Sequence, residues 1–100
     1  MTTEVKIEEK VVTSLQPPKL WKVIFINDNH TPMELVIEIL TTIFKHSPER
    51  AKEITLEIHN DGSGIAGIYT FEIAEQRGLE ATNVARANGS PLRVSVEQES

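Results

Sequence analysis

Three residues of this sequence, Asn27, Asp28 and His59, carry the side chains best suited to holding a cation. Asn27 and Asp28 begin a polar run, Asn27-Asp28-Asn29-His30, that interrupts an alternating apolar stretch. His59 stands at the close of a later helical pattern. If the two ends meet in space, the cluster offers two carbonyl-type acceptors, one negative charge and one imidazole acceptor. That set suits an ammonium group. The same residues also fit an Asx turn beside a surface histidine at a helix C-terminus. Spacing alone does not choose between the two.

Other motifs carry less chemistry. Gly62-Ser63-Gly64-Ile65-Ala66-Gly67 has the G-x-G-x-x-G form. A dinucleotide site needs that run after a strand and at a helix start, where backbone N–H groups meet the pyrophosphate. Here it follows a helical pattern and enters a strand, so it reads as a glycine turn. Asn88-Gly89-Ser90 has the form of a glycosylation acceptor but, with Pro91 next, reads as a helix stop. His30, His46 and His59 include no i, i+4 pair, and the chain has no Cys to support them, so no metal site is expected. No Ser-His-Asp order carries the strand–turn–helix context of a nucleophile. Neither catalysis nor a cofactor is expected.

The elements that position these residues must come from 100 residues, room for one small domain. The net charge of −5, with Lys and Arg scattered rather than clustered, argues against nucleic acid as a partner. The lack of Cys removes disulfide scaffolding. Met1 to Glu9 is too polar for a signal peptide, and no apolar run reaches membrane length. A cytoplasmic monomer without a membrane partner is the expectation.

Residues 1–18 read as a flexible tail ending at Pro17-Pro18, 19–97 as the folded domain and 98–100 as a short C-terminal tail. Lys19 to Ile26 alternates as a strand, with Trp21, Val23 and Phe25 on one side. Thr31-Pro32-Met33-Glu34 predicts a capped helix start, with Thr31 as cap and Glu34 completing a capping box. That helix is expected to reach Lys45, with Met33, Val36, Ile37, Leu40, Ile43 and Phe44 as its apolar stripe. Ser47-Pro48-Glu49 starts a second helix, to about Asn60, whose stripe is Ala51, Ile54 and Ile58. Thr55 lies on that stripe where an apolar residue is expected. A strand over Ile65 to Tyr69 leads to a helix capped by Thr70, with Ile73, Ala74, Gly78, Ala81, Val84 and Ala85 inward. A last strand follows, with Leu92, Val94 and Val96 alternating against Arg93, Ser95 and Glu97. The order β-α-α-β-α-β predicts a two-layer α+β domain, a three-stranded antiparallel sheet covered by helices on one face.

The run from Pro17 to Glu34, ending in N-D-x-x-T-P-M-E, resembles the opening of the ClpS family of Clp protease adaptors. The resemblance continues through Glu49-Arg50-Ala51, Ile58-His59, Gly67-Ile68-Tyr69-Thr70, Glu72, Ala74-Glu75 and Pro91-Leu92. It implies an adaptor that binds bulky hydrophobic N-terminal residues (N-degrons) and delivers their proteins to a Clp AAA+ unfoldase. By resemblance, Asn27, Asp28 and His59 grip the substrate α-amino group. Thr31, Met33, Val36, Thr55, Ile58 and Leu92 line the pocket for the first side chain. Glu72 and Arg77 match positions that dock on the N-terminal domain of a ClpA- or ClpC-type unfoldase. The implied ligands start with Phe, Tyr, Trp or Leu. The sequence departs from the family in Asn29, His30, the helix-interior Gly78, and Thr55, which replaces a common Met. The recessed wall at Thr55 extends the expectation to Ile and Val. Two other readings are a domain that docks on the unfoldase only to inhibit or redirect it, and an imidazole-dependent hydrolase. The latter requires an activated nucleophile beside His59, and none is evident.

Overall fold

The computed structural model describes residues 16–99. Most of the expected N-terminal tail, residues 1–15, lies outside the described residues, as does Ser100. The elements follow the expected order: β1 (Trp21–Ile26), α1 (Met33–Thr42), α2 (Pro48–Asp61), β2 (Ser63–Tyr69), α3 (Phe71–Ala87) and β3 (Arg93–Gln98). Both neighbours of β1 run antiparallel to it, in the order β2-β1-β3. Val23 and Phe25 are fully buried from the central strand, while Lys22, Ile24 and Ile26 keep partial exposure. The helices therefore cover one face of the sheet, and among the described residues nothing covers the other, with Ile65 and Ile68 about two-fifths exposed on β2.

Local rules held at the start of α2. Ser47 caps α2, its hydroxyl accepting from the Arg50 N–H at 3.1 Å, with Pro48 at the first helical position. The expected cap of α1 did not form. Pro32 is the N-cap residue, its carbonyl accepting from Leu35 and Val36, and Thr31 turns its hydroxyl elsewhere. Thr70 stands at the N-cap of α3, but its side chain makes no capping bond. Helix α1 stops at Thr42 rather than Lys45, which adopts the left-handed conformation with φ 61°. Ile39, outside the expected stripe, is fully buried, because α1 is packed both by the core and by α2. Ile73, expected inward, is 43% exposed. Helix α3 seats instead on the narrow seam of Ala74, Gly78, Ala81 and Ala85. At Gly78 the close neighbours are side chains rather than backbone: an added β-carbon would stand 3.2 Å from Val96 Cγ2.

Strand β2 carries a bulge. Val23 faces Gly67 and Ile24 faces Ile65, leaving Ala66 as the extra residue. Ala66 is fully buried, and its carbonyl lies 2.5 Å from His46 Nε2 in the α1–α2 connection. A carbonyl can only accept, so Nε2 is the donor. His46 thus satisfies the bulge and ties the helical layer to the edge strand. His46→Ala is expected to lower unfolding free energy by about 1–3 kcal/mol, the cost of a buried acceptor left unpaired. Urea denaturation measures this, and an unchanged midpoint would contradict the assignment.

Candidate functional site

The C-terminal ends of β1 and α2 meet through a backbone bond. The Asn27 N–H donates to the Gly62 carbonyl at 2.9 Å. Gly62 closes α2 in the left-handed conformation, φ 91°, which its lack of a side chain permits. The next turn is equally tight, since a β-carbon on Gly64 would stand 2.8 Å from Ile58 Cγ1. Glycines that resembled a phosphate loop therefore press β2 against α2. That contact brings the helix end bearing Ile58 and His59 beside Asn27.

Asp28 organises the loop that follows. Its Oδ1 accepts from the N–H groups of His30 at 2.7 Å and Thr31 at 2.8 Å, and its Oδ2 accepts from the Thr31 hydroxyl at 2.7 Å. Partial burial works to raise its pKa. The Thr31 hydroxyl, the two N–H groups and the nearby His30 outweigh this and hold the carboxyl below its ordinary value of 3.8. Asp28 makes no ion pair among the described residues. The result is a fixed, ionised carboxylate without an ion pair among the described residues.

Behind this polar rim lies a cavity of about 250 Å³. Asn27, Asp28, His59, Thr31, Met33, Val36, Thr55, Ile58 and Leu92 all line it, so every residue expected for the amino-group and side-chain subsites converges on one place. Val36, Ile58 and Leu92 form its buried apolar wall, and Met33, 41% exposed, stands at the rim. Thr55 is buried with its hydroxyl bonded back to the Ala51 carbonyl at 2.7 Å. The methyl is then the group it offers the cavity. His59 is exposed in the last turn of α2. Sequence reasoning missed two lining residues, Ile26 and Asn29. Both adjoin Asn27 and Asp28, but the strand alternation assigned Ile26 to the face away from the core. It also missed Ser90, which is 3% exposed and pairs its hydroxyl with that of Thr31 at 2.6 Å.

Glu72 and Arg77 do not join the cavity. They lie on α3, which begins beside Trp21, where Phe71 packs edge-on at 4.8 Å. The cavity lies at the Ile26 end of β1, five residues on and so about 17 Å away along the strand. Glu72 is exposed, and Arg77 pairs with Glu80 at 3.1 Å. No group of His, Cys, Asp and Glu able to hold a metal ion occurs among the described residues. No described helix is long and apolar enough to cross a membrane.

Comparison with known proteins places this geometry among relatives. The family described as "ATP-dependent Clp protease adaptor protein ClpS" matches residues 16–95. The chain is 47% identical to a Clp protease adapter protein ClpS of Shewanella pealeana over 92 residues, 92% of this chain and 90% of that one. It is 42% identical to a ClpS of Sodalis glossinidius over 91 residues, 91% of this chain and 86% of that one. A solved structure of Agrobacterium tumefaciens ClpS2 bound to L-phenylalaninamide superposes with a TM-score of 0.80 at 34% identity, covering 83% of this chain and all of that one.

The Asp28 arrangement has an acid signature. A carboxyl whose folded-state pKa lies below its unfolded value stabilises the fold fully above the unfolded value and loses that contribution as pH falls through the folded one. The stability gap between the wild type and Asp28→Asn should therefore be widest near neutral pH and shrink below about pH 4. Chemical denaturation across that range measures it. A gap that stays constant into the acid range would contradict the ionised, donor-filled carboxylate.

Proposed function

The chain belongs to the ClpS family of Clp protease adaptor proteins, and we propose that in this role it captures proteins by a bulky hydrophobic N-terminal residue and passes them to a Clp unfoldase. The family is one of adaptors, not enzymes. The observation that carries the reading is the cavity itself: a buried apolar wall behind an ionised carboxylate with no cationic partner among the described residues. An N-terminal residue presents the matching pair, an ammonium group next to an apolar side chain. An internal residue of the same type lacks the charge. The volume of about 250 Å³ suits one large side chain, since an apolar cavity of roughly 150 Å³ already holds benzene. The 34%-identical relative bound to L-phenylalaninamide supports the reading, because that ligand is an α-amine carrying a benzyl group.

In this reading Asn27, Asp28 and His59 hold the α-amino group. Asp28 supplies charge, and the ring-nitrogen lone pair of His59 accepts a hydrogen bond from the ammonium. Thr31, Met33, Val36, Thr55, Ile58 and Leu92 enclose the side chain. Burying it contributes about 1.5–3 kcal/mol, and each bond to the charged amine about the same. Ordering and association take back several kcal/mol. Affinity on the order of micromolar, near −8 kcal/mol, follows and allows release to the unfoldase. Glu72 and Arg77 form the docking surface for the unfoldase's N-terminal domain. Their distance from the cavity allows both sites to be filled together. The adaptor domain begins at about Lys19 and runs past the expected end at 97, since Gln98 lies in β3 and the Glu99 N–H donates to the Leu20 carbonyl at 2.8 Å.

Isothermal titration with a Phe-started peptide tests the clamp. Asp28→Ala and His59→Ala should each weaken binding by at least about 2 kcal/mol, because each leaves the ammonium under-paired. N-acetylation should abolish binding, and undiminished affinity for the acetylated peptide would sink the clamp. Docking has its own test. Reversing Glu72 and Arg77 together should cut binding to the unfoldase and leave peptide affinity intact. A chain that docks but binds no N-terminal residue would instead be a modulator of the protease without delivery. Thr55 sets the third test. Its self-bonded hydroxyl and short methyl recess the wall, so Thr55→Met should disfavour Ile- and Val-started peptides relative to Leu by about 1–3 kcal/mol. An unchanged ranking would remove Thr55 as a specificity gate.

A further inference from the structure

Ser90, in the loop between α3 and β3, is 3% exposed and makes side-chain bonds in two directions. Its Oγ accepts from the Leu92 N–H at 3.2 Å and lies 2.6 Å from Thr31 Oγ1. The direction of that second bond can be derived. Thr31 has one hydroxyl proton, and it goes to Asp28 Oδ2 at 2.7 Å, because an ionised carboxylate only accepts. Thr31 Oγ1 must then accept from Ser90, and Ser90 must donate. The chain runs one way, from the Leu92 N–H to the Ser90 hydroxyl, to the Thr31 hydroxyl, to Asp28. Each donor polarises the next.

The chain ends on the oxygen that matters most. A carboxylate offers about four acceptor sites, two on each oxygen. Oδ1 has both filled, by His30 and Thr31 N–H groups, while Oδ2 has one filled, by the Thr31 hydroxyl. The remaining site is therefore on Oδ2, beside the Thr31 bond. The loop that carries Ser90 is anchored from α3. Arg86 Nη1 donates to the carbonyls of Ser90 at 2.9 Å and Leu92 at 2.8 Å, and the Ser90 N–H donates to the Ala85 carbonyl at 2.8 Å.

We infer that Ser90 is a positioning residue of the amino-group site: by donating to Thr31 it fixes the hydroxyl that orients Asp28 Oδ2 toward an incoming ammonium. It touches no ligand and acts only through Thr31 and Asp28. The inference rests on the cavity binding an N-terminal amine, so its test separates the two claims. One arm needs no ligand. In the full chain, Ser90→Ala should shift the amide resonances of His30 and Thr31 and speed their hydrogen exchange severalfold, since both amides report the seating of Asp28. The other arm is a double-mutant cycle with a Phe-started peptide. Ser90→Ala should weaken binding about tenfold in the wild type but less than about twofold in Asp28→Ala, as coupled residues of one hydrogen-bond network do. A residue that merely caps Leu92 would give equal losses in both backgrounds and unchanged His30 and Thr31 amides, and either result overturns the inference. If the wild type binds no such peptide, the adaptor reading fails while the amide arm still decides the role of Ser90. Should Ser90→Ala fail to fold, Ser90→Cys, a weaker donor of similar shape, carries the same two arms with smaller losses.

Discussion

The carboxylate of Asp28, gripped by two N–H groups and the Thr31 hydroxyl, is the contact on which the site depends. It stands where the central strand ends, so its position is inherited from the best-buried part of the sheet. The donors that depress its pKa are the same ones that fix its rotamer. A charge held this way costs desolvation without gaining an ion pair. A small domain has little stability to spare for such a group, and an ammonium in the adjoining cavity would complete the missing half of the pair. In the proposed reading the apolar wall supplies affinity, while the carboxylate confines it to chain ends.

The fold runs its one central strand between the cavity and the start of α3. The cavity opens where β1 ends, and α3 begins near where β1 starts. The narrow alanine–glycine seam of α3 lets that helix lie close on the sheet while its outer face stays free for charged residues. Arg86 at the far end of the same helix braces the loop carrying Ser90 and Leu92. One helix thus carries Glu72 and Arg77 in its first half and buttresses the cavity wall at its end.

Much of this was legible in the residues. The alternation of Val23 and Phe25 marked the core face of β1, and Ser47-Pro48 marked the start of α2, because both depend on neighbours in sequence. The back-bond of Thr55 to Ala51 follows from helix geometry alone. Thr31 shows where local reasoning stops. Its sequence context fits a helix cap, yet its hydroxyl joins Asp28 and Ser90, the latter 59 residues away. Ser90 read only as part of a helix stop, since no pattern of types or spacing announces a partner at that distance. Ile73 and Ile39 were misplaced for a related reason. A helical stripe tells which side is apolar but not how wide the contact is, and that width depends on what packs against it.

The central claim is that the cavity between Asp28, His59 and Leu92 receives a free N-terminal residue. The direct measurement is a crystal structure of this chain with a Phe-started peptide. The account predicts the ammonium within hydrogen-bond distance of Asn27, Asp28 Oδ2 and His59, with the phenyl ring against Val36, Thr55, Ile58 and Leu92. A peptide seated instead on the open sheet face by Ile65 and Ile68, with the cavity empty, would contradict it.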